Sequence, residues 1–452
     1  MENEIQQNLY CPNGHENPLE NSVCVECGLP IVEWEKELNS LLGRMDAKID
    51  FVVPHIRGSY LGLGTVGNEI VTNLCNNFGE DMPGVSFLNI DSMKSTRDKT
   101  AEEATSRGVR FYQHSIGDTS AGGSIYCGLG ERAVMQDDQI ESYLHMSGIR
   151  NEDTSQTVFV AAAVGGGTGS GAAPTIVNLC RLCNQEVSTI AMIISPSRHE
   201  ADHSHLNAFY GISKLLTFNG KANADTVLML NHDKLRHIRG VGRQGKEYKA
   251  AEVASYLLKL FQLNLQRSGM VRMCRLNRGT KIQAFVPCVA IGRSMEIFGN
   301  LANVMESAAA YPLAEIDFNN VIASYLLIRI PKAIANMYPD EAVSEEFEAW
   351  NNRYIPNMSS SLVQILHTDE RSDRIDVCIM LGGANAGEIM ADTVTGYRRF
   401  KASVTNPNQW EEYGLSEQQI REAEQVMENY DRSMEGLRNR NATDWSNTDS
   451  QD

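Results

Sequence analysis

No stretch of this chain approaches the roughly 18 consecutive apolar residues that a membrane-spanning helix requires. The longest apolar runs, such as "TVFVAAAV" at 157–164, have the length of a strand. The opening "MENEIQQNLYC" is polar and acidic, without the basic start and apolar centre of a secretion leader, so a cytoplasmic location is expected. An excess of positive charge is also missing. The formal net charge of -17 disfavours nonspecific nucleic-acid binding and gives a self-repelling surface that needs a specific reason to associate. Ten cysteines stand mostly alone in apolar or helical contexts, which reads as reduced thiols rather than a disulfide framework. A G-x-x-x-x-G-K-[ST] phosphate loop is absent as well, excluding the commonest nucleotide-binding signature.

At 452 residues the chain exceeds one ordinary core. Its first segment, "YCPNGHENPLENSVCVECGLPI", places Cys11 and His15 on one knuckle and Cys24 with Cys27 on a second, among turn-forming Pro and Gly. Three thiolates and an imidazole complete a tetrahedral Zn²⁺ site with no position left open for catalysis. So short a module folds on its metal, which supplies on the order of 10 kcal/mol. Residues 1–35 are therefore expected to form a zinc ribbon that offers an attachment surface to a protein partner. A charged helical linker is expected over 36–54.

From 55 to 246 short apolar strands alternate with amphipathic helices, the pattern of a parallel α/β sheet. Strands are expected at "GVSFLNID", "TVFVAAAV", "STIAMIISP" and "ADTVLMLN", besides one before Gly62. A long helix follows over 247–268 and a second α/β region, of α+β type, over 269–404, with strands expected at "IQAFVPCVAIG", "NNVIASYLLIRI", "SLVQILHT" and "RIDVCIMLGG". An acidic helix and a disordered polar end, "RNRNATDWSNTDSQD", complete the chain over 405–452.

Two glycine loops carry the chemistry. "GLGTVG", Gly62 to Gly67, is a literal G-x-G-x-x-G between a strand and a helix, and Asp91 ends the next strand where a ribose-binding acid would sit. Alone it is a dinucleotide fingerprint and implies an NAD-dependent oxidoreductase. The second loop, "VGGGTGSGAAPT", sets Gly165, Gly166, Gly167, Gly169 and Gly171 between a buried strand and a helix. Backbone N–H groups there can approach phosphate oxygens, Thr168 and Ser170 add hydroxyls, and the helix dipole adds attraction. Two such loops on neighbouring strands suggest one phosphate chain held from both sides.

"GGGTGSG" resembles the signature loop of the tubulin and FtsZ superfamily, and the likeness extends over roughly 55–400. "GLGTVGNEIV" is similar to the family's first nucleotide loop, which implies contacts from Gly62, Gly64, Thr65, Gly67 and Asn68. "TSAGGSIYCG" resembles the γ-phosphate loop, with Ala121, Gly122 and Gly123 as backbone donors. "NADTVLMLNHDKL", with Asn231, parallels the strand and turn before the guanine site, although His232 stands near the usual Asn. Tyr248 and Glu252 fall where the family stacks an aromatic ring on guanine and reads its edge. A carboxylate can accept from the N1–H and 2-amino group of guanine, a donor pair adenine lacks. The resemblance thus implies GTP or GDP, accompanied by Mg²⁺, and head-to-tail self-assembly of a divergent FtsZ-like protein, with indirect membrane association in remodelling or a division-like process. A GTP-binding switch that does not polymerise is the alternative.

"HEADH", residues 199–203, spells the H-E-x-x-H of a zinc protease. No Glu follows between 200 and 247 to serve as third ligand, and the resemblance gives Glu200 to the nucleotide ribose. The histidines are expected on a solvated loop and helix start. Where the family carries catalytic acids after the central helix, this chain has no Asp or Glu between Glu252 and Glu296. Hydrolysis is accordingly expected to be weak or lost. Either the basic stretch is only a solvated loop or a lipid or partner contact, or Arg272, Arg275 or Arg278 reaches the triphosphate of the next subunit as an arginine finger.

Overall fold

The structure is a computed structural model and describes residues 9–10, 16–17, 25, 58–82, 84–92, 98–117, 125–150, 156–237, 251–255, 257–258, 269–368 and 371–448. The zinc-ribbon ligands Cys11, His15, Cys24 and Cys27, the expected linker, the loop residues Ala121, Gly122 and Gly123, and Tyr248 lie outside the described residues. Among the described residues no group of His, Cys, Asp and Glu could hold a metal ion. No helix among them is long and apolar enough to cross a membrane.

Ten strands form one sheet: β1 (Gly58–Leu63), β2 (Val85–Asp91), β3 (Arg110–Ser115), β4 (Thr157–Ala163), β5 (Ser188–Ser195), β6 (Thr226–Asn231), β7 (Ala284–Ser294), β8 (Ala323–Pro331), β9 (Ser360–Thr368) and β10 (Arg374–Gly382). Their order is β9-β8-β10-β7-β6-β5-β4-β1-β2-β3. The six from β3 to β6 are all parallel, with a reversal of chain order between β1 and β4. Parallel strands are buried on both faces, so they read as continuous apolar runs. β1, β2 and β5 are buried along their whole length. The sequence pattern located nine of these strands; β3, "RFYQHS", mixes charge and aromatics at the sheet edge and was not visible as one.

The helices that matter below are α1 (Gly64–Phe78), α2 (Cys127–Met135), α3 (Gly167–Cys183), α4 (Asp202–Leu216), α5 (His232–His237), α6 (Gly269–Thr280), α7 (Ala391–Ser403) and α8 (Glu417–Thr448). Of the long helix expected over 247–268, residues 251–255 and 257–258 are helical, and Val253 and Leu257 are buried. The last third of the chain is mixed: β7 runs parallel to β6 but antiparallel to β10, and β8 pairs antiparallel with β10 and parallel with β9.

Two cores meet across this last part of the sheet. On β8, Ala323, Tyr325 and Leu327 join the core of the first sheet half, whereas Leu326, Ile328 and Ile330 pack with Val304, Phe347 and Trp350 on the other side. The period-two alternation of a strand thus divides one sheet between two cores. The C-terminal segment departs from expectation. The polar end expected to be disordered from Arg438 is helical through Thr448. Ile420, Ala423, Met427, Tyr430 and Met434, at heptad-like spacing on α8, are buried in the first core. That face of the expected acidic helix therefore serves the fold itself.

Candidate functional site

In a doubly wound sheet the crevice opens at the carboxyl ends of strands where chain order reverses, here between β1 and β4. Leu63 of β1 pairs with Ala162 of β4, so the two glycine loops leave the sheet side by side. Gly64 adopts φ +68°, a left-handed turn that starts α1 at once, and a methyl there would lie 3.1 Å from the Gly169 nitrogen. Neither α1 nor α3 has a side-chain N-cap or an acidic residue in its first turn. Two positive helix ends therefore face the crevice with no side-chain cap and no acid in their own first turns.

The glycines divide by task. A Cβ on Gly67 would sit 2.2 Å from the Ala161 carbonyl, and one on Gly169 2.3 Å from that of Ala163, so both let a helix close onto its strand. Gly62 is equally confined, by the Gly67 carbonyl and Asn89. Gly166 faces open space, and Gly165 meets only the Glu200 carboxylate, Pro196 and Ser204, at 3.2 Å or more. The second loop's exposed part is thus Gly165–Gly166, which lines a cavity of about 340 Å³ with Val66, Glu69, Glu200, His232 and Ala251.

The predicted polar residues take different parts. Asp91 ends β2 beneath α1, with Thr65 Oγ1 and Asn68 Nδ2 each donating to it at 3.4 Å. The Asn68 carbonyl oxygen accepts from the Ile90 N–H, so this side chain also fastens α1 to β2. Thr168 shares a 2.6 Å hydrogen bond with Ser92. Ser170, read from sequence as an outward donor, is fully buried and donates its hydroxyl to the Gly166 carbonyl at 2.6 Å. Its contribution is the shape of the loop. Asn231 caps α5, its amide oxygen accepting from the Asp233 and Lys234 N–H groups. Glu252 follows Ala251, which lines the crevice.

The H-E-x-x-H letters do not form a metal site. α4 begins at Asp202, so His199 and Glu200 precede the helix and cannot share a helical face with His203. Glu200 Oε1 accepts from the Ser197 N–H at 2.9 Å and lies 3.6 Å from His232 Nδ1, at the crevice mouth. His205 departs from the expectation of a solvated helix start: it is fully buried against Gly396 of α7. Burial, and then the neighbouring Arg399, hold its pKa below the ordinary histidine value.

Asn207 escaped the sequence reading. Fully buried, it donates to the Gly165 carbonyl at 2.9 Å and to that of Ile125 at 2.8 Å, while its oxygen accepts from the Cys127 N–H at 2.8 Å. One amide thereby links α4, the second glycine loop and the start of α2, which follows the loop of Ala121, Gly122 and Gly123. An Asn within the apolar run "HLNAFYGI" was the available signal, because a buried amide must find partners.

The three arginine candidates also separate. Arg272 and Arg275 are exposed on α6. Arg278 turns inward, donating to both oxygens of buried Asp225 at 2.6 and 2.8 Å and to the Val187 carbonyl. A guanidinium so occupied has no free fork for a neighbour's phosphates.

Residues 59–240, which include the crevice's two glycine loops, match the model of the Tubulin/FtsZ family, GTPase domain. The chain carries a tubulin/FtsZ-superfamily domain. The cell division protein FtsZ 1 of Halobacterium salinarum is 27% identical over 168 residues, 37% of this chain and 40% of that protein. The chain thus spans about two fifths of that relative's length. Among solved structures, CetZ2 from Haloferax volcanii, described as a GTPγS bound protofilament, superposes with a TM-score of 0.58 at 17% identity, covering 78% of this chain and all of that one. The empty FtsZ dimer of M. jannaschii gives 0.52 at 17% identity, covering 73% and 88%. At these identities the structures establish the shared fold.

Proposed function

We propose that this protein binds GTP across the β1–β4 crevice and assembles head to tail as a divergent cytoskeletal protein. The observation that carries the reading is the convergence of two uncapped helix N-termini, those of α1 and α3, on one crevice through adjoining glycine loops. Glu200, at the crevice mouth, is assigned to the ribose hydroxyls. Glu252, beside crevice-lining Ala251, and Tyr248 are assigned to guanine, with Mg²⁺ accompanying the phosphates. The CetZ2 protofilament holding GTPγS supports the same assignment by likeness of fold.

Hydrolysis is proposed to be weak, since residues 253–295 contain no carboxylate to polarise water. Arg272 and Arg275, exposed on α6, are assigned to the neighbour's triphosphate, where they would stabilise phosphoryl charge without activating water. The zinc ribbon and the exposed face of the C-terminal helix are assigned to partner binding in membrane remodelling or a division-like process.

The deciding experiment follows GTP binding, phosphate release and pelleting across a range of protein concentrations. Assembly that requires GTP, with slow release rising with concentration, supports the proposal. Protein that holds GTP yet never pellets is a non-polymerising switch, and protein that fails to bind GTP overturns the reading altogether.

A further inference from the structure

A second cavity, about 940 Å³ and open to solvent, lies at the opposite end of the strands from the glycine loops. It is bounded by the ends of α3, α4 and α6, by Asp225 and Gln283 just ahead of β6 and β7, and by α8. Four cations, Arg181, Lys214, Arg278 and Lys281, line it against two carboxylates, Asp225 and Glu422, and a third carboxylate outside the lining, Glu131, lies 4.0 Å from the Lys214 ammonium. A net positive cavity on a chain of net charge -17 concentrates anions locally.

The walls are held in place before any ligand arrives. Asp225, 1% exposed at its side chain, accepts from Arg181 at 2.9 Å and Arg278 at 2.6 Å. Gln283 donates to the Leu216 and Ala224 carbonyls at 3.1 and 2.7 Å, and Tyr430 of α8 accepts from the Ala284 N–H at 3.0 Å. Arg181, Lys214 and Arg278 stand in the last turns of their helices, where cations complement the helix dipole. That accounts for their sign, but not for a nucleotide-sized space left in front of them.

Lys281 adds an independent observation. Its φ is +62°, in the left-handed region that a helix end normally fills with Gly, and its N–H donates to the Asn277 carbonyl at 2.7 Å. Among the described residues the other non-glycine with positive φ is Asn219, in the two-residue turn of the hairpin Thr217–Phe218 and Lys221–Ala222, where that conformation is ordinary. A lysine kept in strained backbone at the rim of a cation-lined cavity points to a use for its ammonium group.

We propose that this cavity binds a small organic anion carrying at least two negative charges, a phosphate or polycarboxylate compound, with Lys281 and Lys214 as its principal contacts. Such a ligand would join α8 to the N-terminal ends of β6 and β7. The inference does not rest on the GTP reading, because the two cavities lie at opposite ends of the strands.

The test titrates pyrophosphate and, separately, citrate into the full chain by calorimetry. The same titrations are run on Gly166→Glu, which closes the glycine loop, and on Lys281→Gly and Lys214→Met. Lys281→Gly relieves the backbone while deleting the charge, so it keeps or raises Tm, and lost binding cannot be blamed on unfolding. The expected result is one site that survives Gly166→Glu and is weakened at least about tenfold by each lysine variant. Preference between the two probes tells phosphate from carboxylate chemistry. Binding abolished by Gly166→Glu, binding indifferent to both lysines, or no binding of either probe at millimolar concentration would overturn the proposal.

Discussion

The side-chain amide of Asn207 bonds the Gly165 carbonyl at 2.9 Å and, through its oxygen, the Cys127 N–H at 2.8 Å, so a helix outside the crevice sets the position of the loop inside it. Replacing it with Leu keeps the volume and removes all three hydrogen bonds. Buried groups left without partners cost about 1–3 kcal/mol. Asn207→Leu is expected to lower the midpoint of chemical denaturation and to weaken GTP binding about tenfold or more. Unchanged nucleotide affinity in a folded variant would show that the loop holds its shape without this anchor.

His205 and Gly396 form a comparably tight pair, since a methyl on Gly396 would lie 2.3 Å from the imidazole Cδ2. Overpacking of this kind costs about 1–3 kcal/mol. Gly396→Ala should therefore lower Tm, and adding His205→Ala should recover part of the loss. A gain in Tm on Gly396→Ala would contradict the packing.

The same histidine makes stability depend on pH. Burial holds its folded pKa below 6.5, so the unfolded chain binds the proton more readily. Stability from this group is complete above about pH 6.5 and is lost as pH falls below that value. Asp202, Glu200 and Asp392 oppose the shift and Arg399 reinforces it. Tm measured at descending pH should fall less steeply in His205→Leu than in the natural chain; parallel curves would remove His205 as the cause.

Charge reversal separates the arginines of α6. Arg278→Ala leaves Asp225 with Arg181 as its remaining cation and should cost about 1–3 kcal/mol of stability. Arg272→Glu and Arg275→Glu, at exposed positions, should leave Tm within about 0.5 kcal/mol equivalent of the natural chain. Both are nevertheless expected to prevent GTP-dependent pelleting. Normal pelleting by the double variant would leave the basic face without a role in assembly.

What could be read in advance followed the physics of each signal. Buried parallel strands announce themselves as apolar runs, so β1, β2, β4, β5 and β6 were plain, whereas edge strand β3 is mostly half-buried and interrupts its apolar residues with Arg110, Gln113 and His114. The glycine loops were legible as loops. The sequence could not distinguish Gly166, which faces open space, from Gly169, which makes room for the Ala163 carbonyl, because both are simply glycine until the strand beside them is known. Ser170 and Arg278 were misjudged for a related reason: a hydroxyl or a guanidinium suits either a ligand or the protein's own carbonyls and carboxylates. Only the partners decide, and Gly166 and Asp225 lie 4 and 53 residues away.

That ambiguity between the glycines gives a direct test of the site. A methyl on Gly169 would collide with the Ala163 carbonyl at 2.3 Å, backbone against backbone, so Gly169→Ala can be accommodated only by moving α3 off β4. It should cost several times the roughly 1 kcal/mol by which Ala otherwise favours a helix over Gly. Gly166 meets nothing within 4 Å, and Gly166→Ala should leave thermal stability near that of the natural chain. Its new methyl would project into the crevice, so GTP affinity, measured by dialysis or calorimetry, should fall while Tm holds. If Gly166→Ala binds GTP as well as the natural chain, the phosphate chain does not pass over this loop and the proposed pose is wrong. If Gly169→Ala proves as stable as the natural chain, α3 is not packed on β4 as closely as the structure places it.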